Sequence, residues 1–311
     1  MIKIDRSKEP CPPSLLTAGV TERDRNIQII ENGLAEKLSF QAYKNADVAE
    51  ALERLFNKKC AYCESEFFAV TPADIEHFRP KSRTITKRMK NPKFIGYYWL
   101  AADWDNLLLS CPNCNRRKTH SVPGSTKKVT IGKHEQFPLS DEKYRCTRHG
   151  NNDRFQQDEQ SRLLINPCKD NPERYFVYTD KNSPEGFGII KAKGQLSAAD
   201  VQRVIESIRV YALHRIDLVK TRAKHVDDIY EKILVINHAI ENFNKAKKAI
   251  DKKKEKDFIK GRIDKLVSMA LPEAEYSAMS KQIIGAYLAS LDADIKALID
   301  PTGQLAVLYP I

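Results

Sequence analysis

Apolar residues recur at helical spacing along much of the chain. Ile27, Ile30 and Leu34 predict a helix over 21–39. Val48, Leu52, Leu55 and Phe56 share one face of a second helix, which Asp47 would cap. The longest helical pattern begins at Ser197, where Asp200 completes an S-x-x-[DE] capping signature. Val201, Val204, Ile205, Ile208 and Tyr211 follow as one stripe, and helix is expected, with interruptions, to about Ala270. Pro272 breaks the pattern. A final helix over 274–298 should bury Met279, Ile283, Tyr287, Leu291, Ile295 and Leu298 before Asp300-Pro301 ends it. The apolar tail 305–311 is expected to dock on this chain or on a partner.

Strand signals are shorter. Residues 62–70 and 74–78 read as a pair of strands, and 101–109 as a turn running toward Cys111. Residues 174–178 and 187–191 read as a hairpin across Ser183-Pro184 and Gly186. Residues 1–20, with Pro10, Pro12 and Pro13, read as an irregular arm, and 119–172 as loop with short elements. The class is α+β, mostly helical. Four segments are expected: an N-terminal arm with helices (1–57), a cysteine-bearing core (58–128), a loop-rich region with the hairpin (129–196) and a helical C-terminal domain (197–311).

Composition narrows the function classes. A chain of 311 residues that is 41% hydrophobic can bury a core, and no stretch approaches a membrane span. There are 52 lysines and arginines against 41 acidic residues, a net charge of +11, which is compatible with a polyanionic partner. Seven cysteines and no secretion signal point to a reducing, cytoplasmic location.

The chemistry concentrates in 60–118. Cys60-Ala61-Tyr62-Cys63 and Cys111-Pro112-Asn113-Cys114 are two C-x2-C pairs. Each pair folds a knuckle that aims two thiolates at one ion, the usual framework of structural Zn²⁺. Cys11, Cys146 and Cys168 remain outside it, and Cys146 with His149 has only weak ligand spacing. Between the pairs lie Glu76-His77 and Pro80, then Asn106 before an apolar run, and Asn115 follows the last cysteine. An acidic residue beside a histidine means little alone; its place between two knuckles gives it weight.

The pattern C-x2-C … E-H-x2-P … N-L-x3-C-x2-C-N-x2-K resembles the HNH endonuclease motif. The resemblance implies a ββα-metal core braced by zinc. His77 is then the general base, Asn106 fixes the loop that bears it, and Glu76 and Asn115 ligate the catalytic metal. Asn115 stands where the motif usually carries histidine, and an oxygen donor there favours Mg²⁺ or Mn²⁺. The catalytic helix should start near Asn115, with Arg116, Arg117 and Lys118 in its first turn. Ile75 to Ser82 and Trp104 to Cys111 are further similar to the PtuB family, the HNH component of Septu anti-phage systems. That implies an SMC- or ABC-type ATPase partner of the PtuA kind. Relatives beside retrons add a reverse transcriptase and its msDNA.

Two acid-free basic runs flank the motif. One holds Arg79, Lys81, Arg83, Lys87, Arg88, Lys90 and Lys93, the other Arg116, Arg117, Lys118, Lys127 and Lys128. Both are expected to contact phosphates. Tyr97, Tyr98 and Trp99 read as core beneath the zinc site rather than as a stacking platform. DNA is the expected substrate and transfer RNA or other RNA the alternative. A zinc-braced binding or ATPase-docking subunit without catalysis is the competing reading.

Overall fold

The computed structural model describes residues 1–84, 95–184 and 186–300. Among the described residues the fold is α+β and mostly helical, with three small two-stranded sheets and a buried four-cysteine cluster. Two compact units are present: Met1–Phe176 with Ala192–Ile216, and Val177–Lys191 with Asp217–Ile311. Among the described residues no helix is long and apolar enough to cross a membrane.

The first unit opens with α1 (Val20–Glu31) and α2 (Ala46–Leu55). α1 stops well short of 39, because Gly33 takes a positive φ of 71° and the chain turns. α2 buries Val48, Leu52 and Leu55, with Phe56 buried just beyond its end, as the stripe predicts. Asn45 stands at its N-cap position. Asp47 instead accepts hydrogen bonds from the backbone and hydroxyl of Ser14, at 3.0 and 2.6 Å, and fastens the N-terminal arm.

β1 (Asp74–His77) pairs antiparallel with β2 (Leu107–Ser110), placing Glu76 opposite Leu108 and His77 opposite Leu107. The expected partner strand over 62–70 is absent: that stretch is turn and loop, with one bridge from Lys59 to Glu66. β2 wins the pairing because Leu107, Leu108 and Leu109 are all buried, so it serves the core on both faces. α3 (Pro112–Asn115) is a single turn. The longer helix expected from Asn115 does not form; Arg116 is extended, with ψ 143°. The chain enters a hairpin of β3 (Lys118–His120) and β4 (Val129–Ile131).

Gly132 explains that turn away from helix. Its φ is +128°, and a Cβ there would sit 2.1 Å from the Arg116 carbonyl oxygen. Only glycine lets the two backbones approach so closely. The Lys133 amide then donates to the Cys114 carbonyl (2.8 Å) and the His134 amide to that of Asn115 (2.5 Å). These contacts occupy carbonyls that a continuing helix would need.

α4 (Asn152–Ser161) follows. β5 (Phe176–Tyr178) and β6 (Ile190–Ala192) form the expected hairpin. α5 (Ala198–Val210) starts where Ser197 accepts a hydrogen bond from the Asp200 amide at 3.1 Å. The interruptions fall at 211–215 and 246–248, separating α5, α6 (Ile216–Lys245) and α7 (Ala249–Ser268). The last helix is also divided, into α8 (Ser277–Ser290) and α9 (Ala293–Ile299). Met279, Ile283 and Ile295 are buried there, while Tyr287, Leu291 and Leu298 are half-buried. Lys87, Arg88, Lys90 and Lys93, expected to contact phosphates, and the tail 305–311, expected to dock, lie outside the described residues.

Candidate metal centre and histidine site

The two knuckles converge. The Sγ atoms of Cys60, Cys63, Cys111 and Cys114 lie within 4.8 Å of one another, all buried. Cys63 and Cys111 are 3.8 Å apart at sulfur. A tetrahedron with Zn–S of about 2.3 Å has edges of about that length, so the quartet fits zinc. Local hydrogen bonds shape each knuckle: Glu64 amide to Cys60 carbonyl at 3.0 Å, and Asn115 amide to Cys111 carbonyl at 3.0 Å. The Ala61 amide reaches the Leu109 carbonyl of β2 at 2.8 Å and ties the first knuckle to the strand.

Four thiolates around a dication carry two net negative charges. Arg215, buried in the turn between α5 and α6, offsets one of them. Its Nη1 lies 3.3 Å from Cys114 Sγ, and its Nη2 lies 3.5 Å from Cys63 Sγ. No local pattern in the sequence singles this arginine out.

β1, paired to the strand that leads into the second knuckle, carries Glu76 and His77. His77 Nε2 lies 2.9 Å from the Ala101 carbonyl oxygen. A carbonyl only accepts, so Nε2 carries the proton and Nδ1 holds the lone pair. Burial, with Lys81 beside it, keeps the ring well below the ordinary histidine range, so it is neutral at pH 7. The Tyr43 ring meets it edge-on, with centroids 4.5 Å apart. Asn106 clamps the chain that leaves β1: its Oδ1 accepts from the Arg79 amide at 2.8 Å, and its Nδ2 donates to the Arg79 and Leu100 carbonyls, both at 3.0 Å.

Glu76 is 4% exposed, and its Oε1 pairs at 2.5 Å with Lys133, which is fully buried and also donates to the His77 carbonyl at 2.8 Å. Burial pushes the Glu76 carboxyl up and pulls the Lys133 ammonium down, and each charge opposes that effect on the other. Replacing Lys133 with methionine strands a carboxylate in the interior. It should cost about 3 kcal/mol in urea unfolding, and adding Glu76→Gln should recover part of that. Additive losses from the two changes would show that the pair is not coupled.

Asn115, half-buried, donates its amide nitrogen to Asp74 Oδ2 at 3.0 Å. Asp74 is also held by both ends of the Arg116 guanidinium, at 3.0 and 2.7 Å. Asp74 shares a strand face with Glu76, so the carboxylates alternate correctly to look toward one side.

The basic residues divide. Arg79 is 2% exposed, bound to Asp158 and, at 2.6 Å, to Glu159, and its guanidinium lies over the rings of Phe137 and Phe155. It is an internal strut with no face for a phosphate, which corrects the expectation for that residue. Lys81 is half-buried beside His77, while Arg83, Arg116, Arg117 and Lys118 are exposed. Tyr97 and Tyr98 are core, with Trp99 half-buried beside them. Cys146 donates to the Arg148 carbonyl at 3.2 Å, and His149 sits between Tyr98 and Glu31, so the C-x2-H spacing makes no joint site.

No family model matches the chain. It is, however, 32% identical over 309 residues to the Septu protein PtuB of Bacillus mycoides (strain KBAB4), across 93% of this chain and 91% of that protein. The chain belongs to the PtuB family. It is also 27% identical over 159 residues to the Septu protein PtuA of the same strain, spanning 51% of this chain and 20% of that one.

In this PtuB-family chain the side-chain oxygens of Glu76 and Asn115 suit a hard cation by type. Lys133 takes only one oxygen of Glu76, and Asp74 takes only the amide nitrogen of Asn115. Glu76 Oε2 and Asn115 Oδ1 therefore have no partner among the described residues, and both are the ligand kind that Mg²⁺ or Mn²⁺ prefers. Among the described residues the cysteines are the one cluster that brings three or more His, Cys, Asp or Glu ligand atoms together.

Proposed function

We propose that the chain is a metal-dependent HNH endonuclease that hydrolyses phosphodiester bonds of nucleic acid. DNA is the favoured substrate, and RNA, including transfer RNA, the alternative. The observation that carries this reading is the His77 ring: neutral, tethered at Nε2, with its Nδ1 lone pair facing Lys81. An imidazole in that state can accept a proton from water. Glu76 and Asn115 would hold Mg²⁺ or Mn²⁺, which when bound supplies positive charge to the phosphate oxygens and the leaving oxygen. Asn106 keeps the loop after β1, and so the ring, in register. The zinc quartet, its charge partly offset by Arg215, braces β2 and thereby β1. Exposed Arg83, Arg116, Arg117 and Lys118 supply phosphate contacts that position the backbone without reading bases.

Membership of the PtuB family supports the wider assignment. In this reading the chain is the cytoplasmic effector of an anti-phage complex and works under an ATPase partner of the PtuA kind, with a reverse transcriptase and its msDNA added in retron-linked systems. The Glu76–Lys133 pair favours a second reading, a zinc-braced docking subunit without catalysis, because the carboxylate already has a cation. Incubation of the chain, with and without its ATPase partner, against cellular DNA and RNA in Mg²⁺ separates the two. Metal-dependent cleavage is expected; intact nucleic acid under every condition would support the docking subunit.

A further inference from the structure

His77 has one nitrogen spent and one facing a charge. Nε2 is committed to the Ala101 carbonyl, and the group opposite the Nδ1 lone pair is the Lys81 ammonium, 3.4 Å away. Lys81 is half-buried, and the Tyr43 ring covers it, with its centroid 4.7 Å from the nitrogen. No carboxylate of the described residues pairs with it. The next cation inward, Lys133, is already matched by Glu76. Glu76 and Glu135 act on this half-buried ammonium through space, yet neither is in ion-pair contact with it, and its near neighbours are a π face and a lone pair.

We propose that Lys81 is a catalytic residue of this site, the anchor for the scissile phosphate and the cap that keeps His77 Nδ1 covered until substrate arrives. The proposal rests on the nuclease reading and names the group that meets a non-bridging oxygen of the scissile phosphate. In the free protein the ammonium lies against Nδ1. When a phosphodiester enters, the ammonium moves onto a non-bridging oxygen, and the lone pair opens to water. The water oxygen then bonds to phosphorus, its proton passes to Nδ1, and the bond to the leaving sugar oxygen breaks, that oxygen taking a proton from solvent. Lys81 neither gives nor takes a proton; it offsets the charge that builds on the phosphate oxygens. Lysine suits the task as a compact charge on a flexible stem.

Two readouts test this on the full chain. The first is single-turnover cleavage in Mg²⁺ with the ATPase partner present. Lys81→Met should slow it about 100-fold, with affinity for uncut nucleic acid falling less than about threefold, while Lys81→Arg should stay within about tenfold of the unaltered rate. Lys81→Gln carries the same comparison if the methionine variant does not fold. The second needs no turnover: the His77 Cε1–H resonance, without divalent cation, followed during titration with dimethyl phosphate. It should move in the unaltered chain and stay still in Lys81→Met. Cleavage by Lys81→Met at the unaltered rate, or an unchanged resonance response in that variant, would overturn the assignment while leaving the nuclease reading intact. A Lys81-dependent resonance shift in a chain that cuts nothing would overturn the nuclease reading and the catalytic role with it.

Discussion

His77→Ala should reduce cleavage by about a thousandfold while the protein stays folded and still binds nucleic acid. General-base catalysis by a positioned imidazole contributes about 10²–10⁴ in rate, and the whole of that share is lost with the ring. The structural cost is smaller. The ring's recorded partners are one hydrogen bond to the Ala101 carbonyl, an edge contact with Tyr43 and the long contact with Lys81. Truncation should lower the melting temperature by a few degrees. Glu76→Gln makes a contrasting comparison: it should raise the Mg²⁺ concentration needed for half-maximal rate. A His77→Ala protein that cuts at the unaltered rate would remove the base from the account.

Loss of one zinc ligand should be more damaging to the fold than any change around His77. Cys63→Ser or Cys114→Ser should release the metal and lower the melting temperature by more than about 10 °C, since a structural zinc can supply on the order of 10 kcal/mol. The effect is amplified by what the quartet closes. It joins Cys60 to Cys114 across the β1–β2 pair, and the first knuckle is bonded directly to β2. Either change also takes from the buried Arg215 one of the sulfurs it donates to. Elemental analysis of the unaltered chain should find one zinc per molecule. A metal-free protein with an unchanged melting curve would exclude the structural role.

What the sequence made legible was local. Each knuckle is a four-residue motif, the Ser197 cap is a four-residue motif, and the α2 stripe repeats within ten residues. The contacts that were missed join distant segments. β2 gives no alternating signal, because it is buried on both sides. The helix expected after Asn115 lost to the backbone of 132–134, admitted by Gly132 alone. Arg79 read as part of a basic run, yet its carboxylates, Asp158 and Glu159, arrive from α4 some eighty residues later. Lys133, Tyr43 and Arg215 carried no local pattern, and only the folded chain sets them beside Glu76, His77 and the cysteines. The residues around the candidate site could thus be named in part, while their counter-charges could not.

Anomalous diffraction from crystals of this chain soaked in Mn²⁺ shows whether a second metal binds beside His77. Zinc is expected within the cysteine quartet, with a second peak about 2.1 Å from oxygens of Glu76 and Asn115, beside His77. Zinc alone, with Glu76 still held by Lys133 at saturating Mn²⁺, would contradict the nuclease reading.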